Sequence, residues 1–350
     1  MQTTHSFINT NSNNLSMIPD KSVQLVVTSP PYPMIEMWDE IFIKQNPEIT
    51  NDLQDNPIEA FNKMHDILND VWKECDRVLI DGGFACINIG DATRTINGKF
   101  QLFSNHVKIV EAFVNLGFSV LPDIHWRKAT NSPNKFMGSG MYPAGAYVTY
   151  EHEYILIFRK SNKRVFSECE KDIRRQSAYF WEERNVWFSD LWNIKGIKQT
   201  IKFADRNRNA SYPLEIPYRL INMYSIYGDT VLDPFGGLGT TSLAALMSGR
   251  NSILVDISFD FVELSQKRLC ENGIIEQVNR QIKQRLQNHI EFIDGLSDEK
   301  KANCYFNSNH HIFVKTKQEA DAIFYKTKNI YKSNSNIVCD YETLEKKHTP

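Results

Sequence analysis

The stretch Asp233-Pro234-Phe235-Gly236-Gly237-Leu238-Gly239-Thr240-Thr241 lies between an apolar run, Thr230-Val231-Leu232, and a second one at residues 252–256 (SILVD). The first run reads as a buried strand, residues 242–248 as a helix and the second run as another strand. Strand, glycine loop, helix and strand form one crossover unit, and such units build parallel sheets with helices on both faces. Glycines at that loop let the backbone turn tightly and approach a ligand without Cβ obstruction. Asp233, Phe235, Gly236, Gly237, Gly239 and Thr240 are therefore candidate cofactor contacts. Asp256 ends the next strand, where a carboxylate can accept hydrogen bonds from ribose hydroxyls. On the loop alone, a turn that merely joins strand to helix remains open.

A nicotinamide-dependent oxidoreductase would use a similar unit, but with the spaced glycines of a pyrophosphate-binding turn and helix-start amides facing phosphate. Here the loop opens on Asp233-Pro234. A carboxylate suits a cationic ligand better, and S-adenosylmethionine carries both an ammonium and a sulfonium.

The remaining chain repeats the alternation. Residues 22–28 (SVQLVVT) are an apolar, β-branched run that stops at Ser29-Pro30-Pro31-Tyr32. Phe61, Met64, Leu68, Val71, Trp72, Cys75 and Leu79 recur at three- and four-residue spacing and predict a helix ending before Gly82-Gly83. Residues 84–89 (FACINI) predict a strand, and 104–117 a helix with Ser104 as N-cap and Gly117 as its stop. Residues 118–126 and 150–158 predict two more strands around a long loop, 131–145. The Asn- and Lys-rich tail beyond Asn279 carries only weak signals.

The proline loop suggests chemistry. An exocyclic base amine is a poor nucleophile because its lone pair is delocalised into the ring, so an enzyme must hold it with acceptors that favour the attacking geometry. Ser29 Oγ and the Pro30 carbonyl could accept its two protons. Tyr32 could stack on a base turned out of the duplex, because a paired amine cannot align with a methyl donor. A rigid proline turn with a packed tyrosine is the alternative reading.

Together, Ser-Pro-Pro-Tyr after a strand and Asp-Pro-Phe-Gly-Gly-Leu-Gly-Thr-Thr far downstream resemble the beta class of DNA amino-methyltransferases, in particular the site-specific cytosine-N4 enzymes of restriction-modification systems. The resemblance spans residues 6–272 and includes Tyr212-Pro213-Leu214-Glu215-Ile216-Pro217 ahead of the glycine loop. It implies a Rossmann-like, S-adenosylmethionine-dependent α/β sheet with circularly permuted motif order and a small recognition region. By residue, it implies a catalytic loop of Ser29, Pro30, Pro31 and Tyr32. It also implies a cofactor site of Asp233, Phe235, Gly236, Gly237, Gly239, Thr240, Asp256 and Pro213. The family's acid near the adenine has Asn11 as its counterpart here. Asn88 and Asp91 fall where the family places polar groups facing the target base, and a solvated loop start is the alternative for both.

The resemblance further implies a division into a catalytic half (residues 1–158), a target-recognition region (159–208), a cofactor half (209–278) and a C-terminal extension (279–350). Residues 159–208 hold 13 Lys or Arg against 7 Asp or Glu in a chain of net charge -2. Aromatics such as Trp181, Trp187 and Trp192 are interleaved there, as in surfaces that grip double-stranded DNA. Lys195, Lys198, Lys202 and Arg206 are the candidate phosphate contacts, and an ordinary solvated basic face is the bland alternative. Asn131, Asn134, Phe136 and Met137 are further DNA candidates. The segments 131–145 and 33–40 resemble those of family members acting on the palindrome CTAG. A cognate restriction endonuclease is implied as a functional partner.

Asp or Asn usually replaces Ser29 in the N6-adenine enzymes of the family, so cytosine is the expected target and adenine the rival. A fold retained as an inactive DNA-binding module is the rival of another class, and the intact Ser29–Tyr32 and glycine loops weigh against it. The six cysteines form no close pair and none lies in the proline loop, which argues against zinc, disulfides and thiol attack on a ring carbon. No metal is implied. The polar N-terminus and the lack of an apolar run near the roughly 20 residues needed to span a bilayer suggest a cytoplasmic protein with no membrane contact.

Overall fold

The computed structural model describes residues 1–128, 143–145, 148, 150–196 and 212–344. The chain runs β1 (Gln2–Asn9), β2 (Val23–Thr28), α1 (Glu36–Gln45), α2 (Ile49–Asp55), α3 (Pro57–Val78), β3 (Leu79–Ile89) and the hairpin β4 (Ala92–Ile96) and β5 (Lys99–Phe103). It continues through α4 (Asn105–Asn115), β6 (Ser119–Arg127), β7 (His152–Arg159), α5 (Glu168–Gln176), α6 (Trp181–Trp187), β8 (Leu191–Asn193) and α7 (Glu215–Tyr224). The glycine-loop unit follows as β9 (Thr230–Asp233), α8 (Thr240–Met247), β10 (Asn251–Asp256) and α9 (Phe259–Leu269). Last come α10 (Ile274–Asp294), α11 (Asp298–Lys301), β11 (Tyr305–Asn307), β12 (Ile312–Val314), β13 (Tyr325–Ser333) and β14 (Asn336–Thr343).

Ten strands form one sheet in the order β13-β14-β1-β10-β9-β2-β3-β7-β6-β8. Its centre, β1-β10-β9-β2-β3, is parallel, and β7 and β14 flank it antiparallel. Both faces of the central strands are buried because side chains alternate: Val26 packs with α3 and α4, while Leu25 and Val27 pack with α7 and α8. No helix among the described residues is long and apolar enough to cross a membrane.

Several expectations shift. Helix α3 starts earlier than its apolar stripe, at Pro57, because Asn56 accepts a hydrogen bond from the Glu59 N–H and proline suits the first helical turn. Strand β3 begins at Leu79 and runs through Gly82-Gly83, which therefore lie within the strand. Ser104 caps α4 by position only, without a side-chain hydrogen bond. Residues 2–9, read above as a polar start, form a central strand. Its inward positions include Thr3 and His5, whose polarity hides the pattern; Thr3 bonds the Tyr341 hydroxyl (2.9 Å) and His5 Nδ1 lies 2.9 Å from Ser252 Oγ.

Two of the expected boundaries also fail. The one at 278/279 falls inside α10, and β13 and β14 of the presumed extension continue the main sheet beside β1. The described residues of the interval 159–208, which are 159–196, are divided between the two ends of the sheet. Strand β7 ends at Arg159, opposite Phe84, which pairs with Leu25 near the start of β2, so the chain that follows lies at the sheet end away from Thr28 and Asp233. There Lys160 pairs with Asp76, Arg164 with Asp229 and Glu170, Lys171 with Glu168 and Arg175 with Asp172. Only after β8, parallel to β6, does the chain return to the other end.

Arg250 joins the two helices behind the cofactor half. It is fully buried, donates to the Ser225 hydroxyl (3.1 Å), the Ser225 carbonyl (2.7 Å) and the Ser248 carbonyl, and lies over the Tyr227 ring. Ser225 and Ser248 are the C-caps of α7 and α8, so the guanidinium sits at two negative helix ends. Arg250→Met should lower unfolding free energy by about 3 kcal/mol or more, since buried carbonyls lose a charged donor. Urea denaturation checks this, and an unchanged midpoint with unchanged slope would refute it.

Candidate active site

Strands β2 and β9 are adjacent and parallel, so the proline loop after Thr28 and the glycine loop after Asp233 leave the same sheet edge side by side. That edge, the C-terminal end of parallel strands, is where open α/β sheets bind ligands. Thr28 Oγ1 donates to Asp233 Oδ1 (2.6 Å) and ties the two loops together.

A cavity of about 350 Å³ lies between them, lined by Asn11, Ser29, Pro31, Asp233, Phe235, Gly236, Gly237, Thr240 and Asp256. Its other wall comes from Trp38, Ile41, Phe42 and Gln45 of α1, from α3 and from Tyr212, and the lining is largely apolar with a few convergent polar groups. Asp233 is 3 % exposed and also accepts from Thr241 Oγ1 (2.5 Å). Burial raises its carboxyl pKa to about 6, although three donated hydrogen bonds oppose the shift. A buried carboxylate facing a cavity is a site for a cation. Asp256 holds the glycine loop, accepting from the Gly237 N–H (2.9 Å) and, through its other oxygen, from the Ser258 N–H (2.8 Å). An adenosine with a cationic tail fits this donor set: carboxylates for ribose and ammonium, and apolar walls for the base.

The glycines also serve packing. A Cβ on Gly236 would lie 2.1 Å from Leu254 Cγ, so packing of the loop on β10 by itself requires that glycine, which also lines the cavity. Gly239, in the left-handed region at φ 73°, starts α8 against Ser265 and does not line the cavity. Pro213 is another correction: it is buried outside the cavity, its carbonyl accepts the Ile216 N–H, and its neighbour Tyr212 lines the wall instead. Asn11 does line it, and its amide donates to Gln45 on α1 (2.9 Å).

On the proline loop, Ser29 and Pro31 line the cavity, Pro30 is buried and Tyr32 is half-buried beside them. Asn88, 2 % exposed at the end of β3, donates to the Tyr32 hydroxyl (2.8 Å) and lies 3.4 Å from Ser29 Oγ. Asp91 is also buried, holding the His106 N–H (3.1 Å) and ring, so neither residue is a solvated loop start. Glu153 on β7, absent from the sequence reading, accepts from Tyr32 and Asn88; its only signal was a charge next to the apolar run of residues 154–158. Of the candidate DNA contacts, Lys195 is exposed just past β8, while Lys198, Lys202, Arg206 and the candidates at 131–137 lie outside the described residues.

The model of the N6/N4 DNA methylase family matches residues 23–267, which include both loops and the strands between them. The chain belongs to that family. It is 48% identical over 341 residues to the type II methyltransferase M.MthZI of Methanothermobacter thermautotrophicus, covering 96% of this chain and 94% of that one. It is 50% identical over 297 residues to M.MjaI of Methanocaldococcus jannaschii, covering 79% and 97%. A DNA modification methylase from Thermus thermophilus, crystallised with S-adenosyl-L-methionine, superposes with a TM-score of 0.60 at 31% identity over 76% of this chain and 95% of that one. The PvuII DNA methyltransferase shares the fold, with a TM-score of 0.53 at 19% identity over 79% and 95%. This methylase is therefore an S-adenosylmethionine-dependent DNA methyltransferase, and its substrate is DNA.

Proposed function

We propose that this methylase transfers the methyl group to N4 of cytosine in duplex DNA, as the modification partner of a restriction endonuclease. The observation that carries the reading is Ser29, a neutral hydroxyl lining the cavity where N6-adenine relatives usually have Asp or Asn. Bound S-adenosylmethionine supplies a methyl group already activated on a sulfonium. The chain's own residues then have to hold and orient. Asp233 faces the ammonium, Asp256 the ribose, and Ser29 Oγ with the Pro30 carbonyl accepts hydrogen bonds from the amine. The ring of Tyr32 packs the extruded base. DNA lies across the C-terminal sheet edge, with Lys195 among its phosphate contacts.

Sequencing DNA from a methylation-free host that expresses the chain reads modified base and site together. N4-methylcytosine, with CTAG as the site the resemblance names, is the expected product. N6-methyladenine would keep the mechanism and overturn the substrate, and 5-methylcytosine would overturn the chemistry.

A further inference from the structure

A methylated exocyclic amine must shed a proton, and the hydrogen bonds around Ser29 have a direction that bears on where it goes. Glu153 Oε2 lies 2.8 Å from the Tyr32 hydroxyl and 2.7 Å from Asn88 Nδ2. A carboxylate only accepts, so the Asn88 amide must turn its NH2 toward Glu153, and the same NH2 reaches the Tyr32 oxygen at 2.8 Å. With that oxygen receiving Asn88, the Tyr32 proton points to Glu153. Ser29 Oγ, 3.2 Å from the Tyr32 oxygen, is then the donor of that contact. The order Ser29 to Tyr32 to Glu153 leaves the lone pairs of Ser29 for the cavity. Lys128 pairs with the other oxygen of Glu153, which is 8 % exposed, and balances its charge.

We propose that Glu153 is a positioning residue that ends a proton path running from Ser29 through Tyr32, and that it takes the proton lost by the methylated amine. The amine nitrogen forms the new N–C bond as the S–C bond breaks, its electron pair staying on sulfur. The surplus proton passes to Ser29 Oγ, the Ser29 proton to the Tyr32 oxygen, and the Tyr32 proton to Glu153. Burial first, and then the Glu153 charge, hold the Tyr32 phenol well above its usual range. Tyr32 therefore exchanges protons without becoming a phenolate, and the charge change falls on Glu153.

The proposal rests on Ser29 facing the amine, so Ser29→Ala is measured beside the other variants. Glu153→Gln keeps a hydrogen-bonding group of the same size but cannot take the proton. It should lower the single-turnover methylation rate at least tenfold, with DNA and cofactor affinities within about twofold of wild type. Tyr32→Phe should lose a similar factor, and the double variant no more than the larger single loss, because both break one path. Formate should restore part of the rate to Glu153→Ala and none to Tyr32→Phe. A Glu153→Gln rate within twofold of wild type beside an inactive Ser29→Ala would overturn the path and leave the role of Ser29 standing; an active Ser29→Ala would overturn both. A loss confined to binding, or no formate rescue, would reduce Glu153 to a structural role. If Glu153→Gln fails to fold, a wild-type rate in Tyr32→Phe overturns the path by itself.

Discussion

Ser29→Ala should lower the single-turnover rate of methyl transfer by roughly 100- to 1,000-fold, the loss expected when one transition-state hydrogen-bond partner is removed. The amine's lone pair becomes available only as its nitrogen leaves the plane of the ring, so an acceptor that follows its protons is worth most at the transition state. Affinities for DNA and cofactor should stay within about threefold, since the protein contacts of Ser29 Oγ are long, 3.2 Å to Tyr32 and 3.4 Å to Asn88. The loop keeps its place through other bonds: Tyr32 is held by Asn88 and Glu153, and Thr28 by Asp233. Quench-flow transfer of labelled methyl groups at saturating DNA measures the rate, and calorimetry the affinities. A wild-type rate would remove Ser29 from the chemistry, whereas a loss in affinity alone would make the loop a binding element.

The two loops were legible because each needs unusual residues at a strand end. Their adjacency follows from the parallel pairing of β2 with β9, which brings Thr28 against Asp233 across 205 positions of sequence. Glu153 was not legible, because its importance lies in contact across strands: β7 is antiparallel to β3 with Asn88 opposite Ile155, which leaves Glu153, two residues away on the same face, within reach of the Asn88 amide. Charge counting over residues 159–208 could not locate its charges for a related reason. Arg164 and Lys160 are spent on carboxylates at the far end of the sheet, and a sum over sequence cannot see that pairing. The strand at 2–9 hid behind buried polar residues. In α10, Ile274, Val278, Ile282, Leu286 and Ile293 follow helical spacing, a stripe that the reading of the tail as weak signals passed over because polar residues dominate its composition.

Cofactor affinity should weaken about tenfold between pH 7 and pH 5 through Asp233 alone, which follows from a carboxyl group titrating at about 6 that must be ionised to hold a cation. The sign for folding runs the other way. Burial raises this group above its unfolded value of 3.8, so the folded chain binds the proton more tightly. The stabilising contribution is complete below about pH 3.8 and is lost as pH rises through about 6. Without cofactor, Asp233 therefore destabilises the fold at pH 7, and a bound cation offsets that penalty. The rise in melting temperature on adding S-adenosylmethionine should accordingly be larger at pH 7 than at pH 5. Asp233→Asn keeps one oxygen to accept from Thr28 and the Phe235 N–H and turns its NH2 toward Thr241 Oγ1, whose own proton can go to the Tyr212 hydroxyl, so it should fold at least as stably at pH 7. Its cofactor affinity should drop tenfold or more and lose the pH dependence between 5 and 7. Calorimetric titration of both proteins at the two pH values is decisive: equal pH dependence with and without the carboxylate would place the cation's partner elsewhere in the cavity.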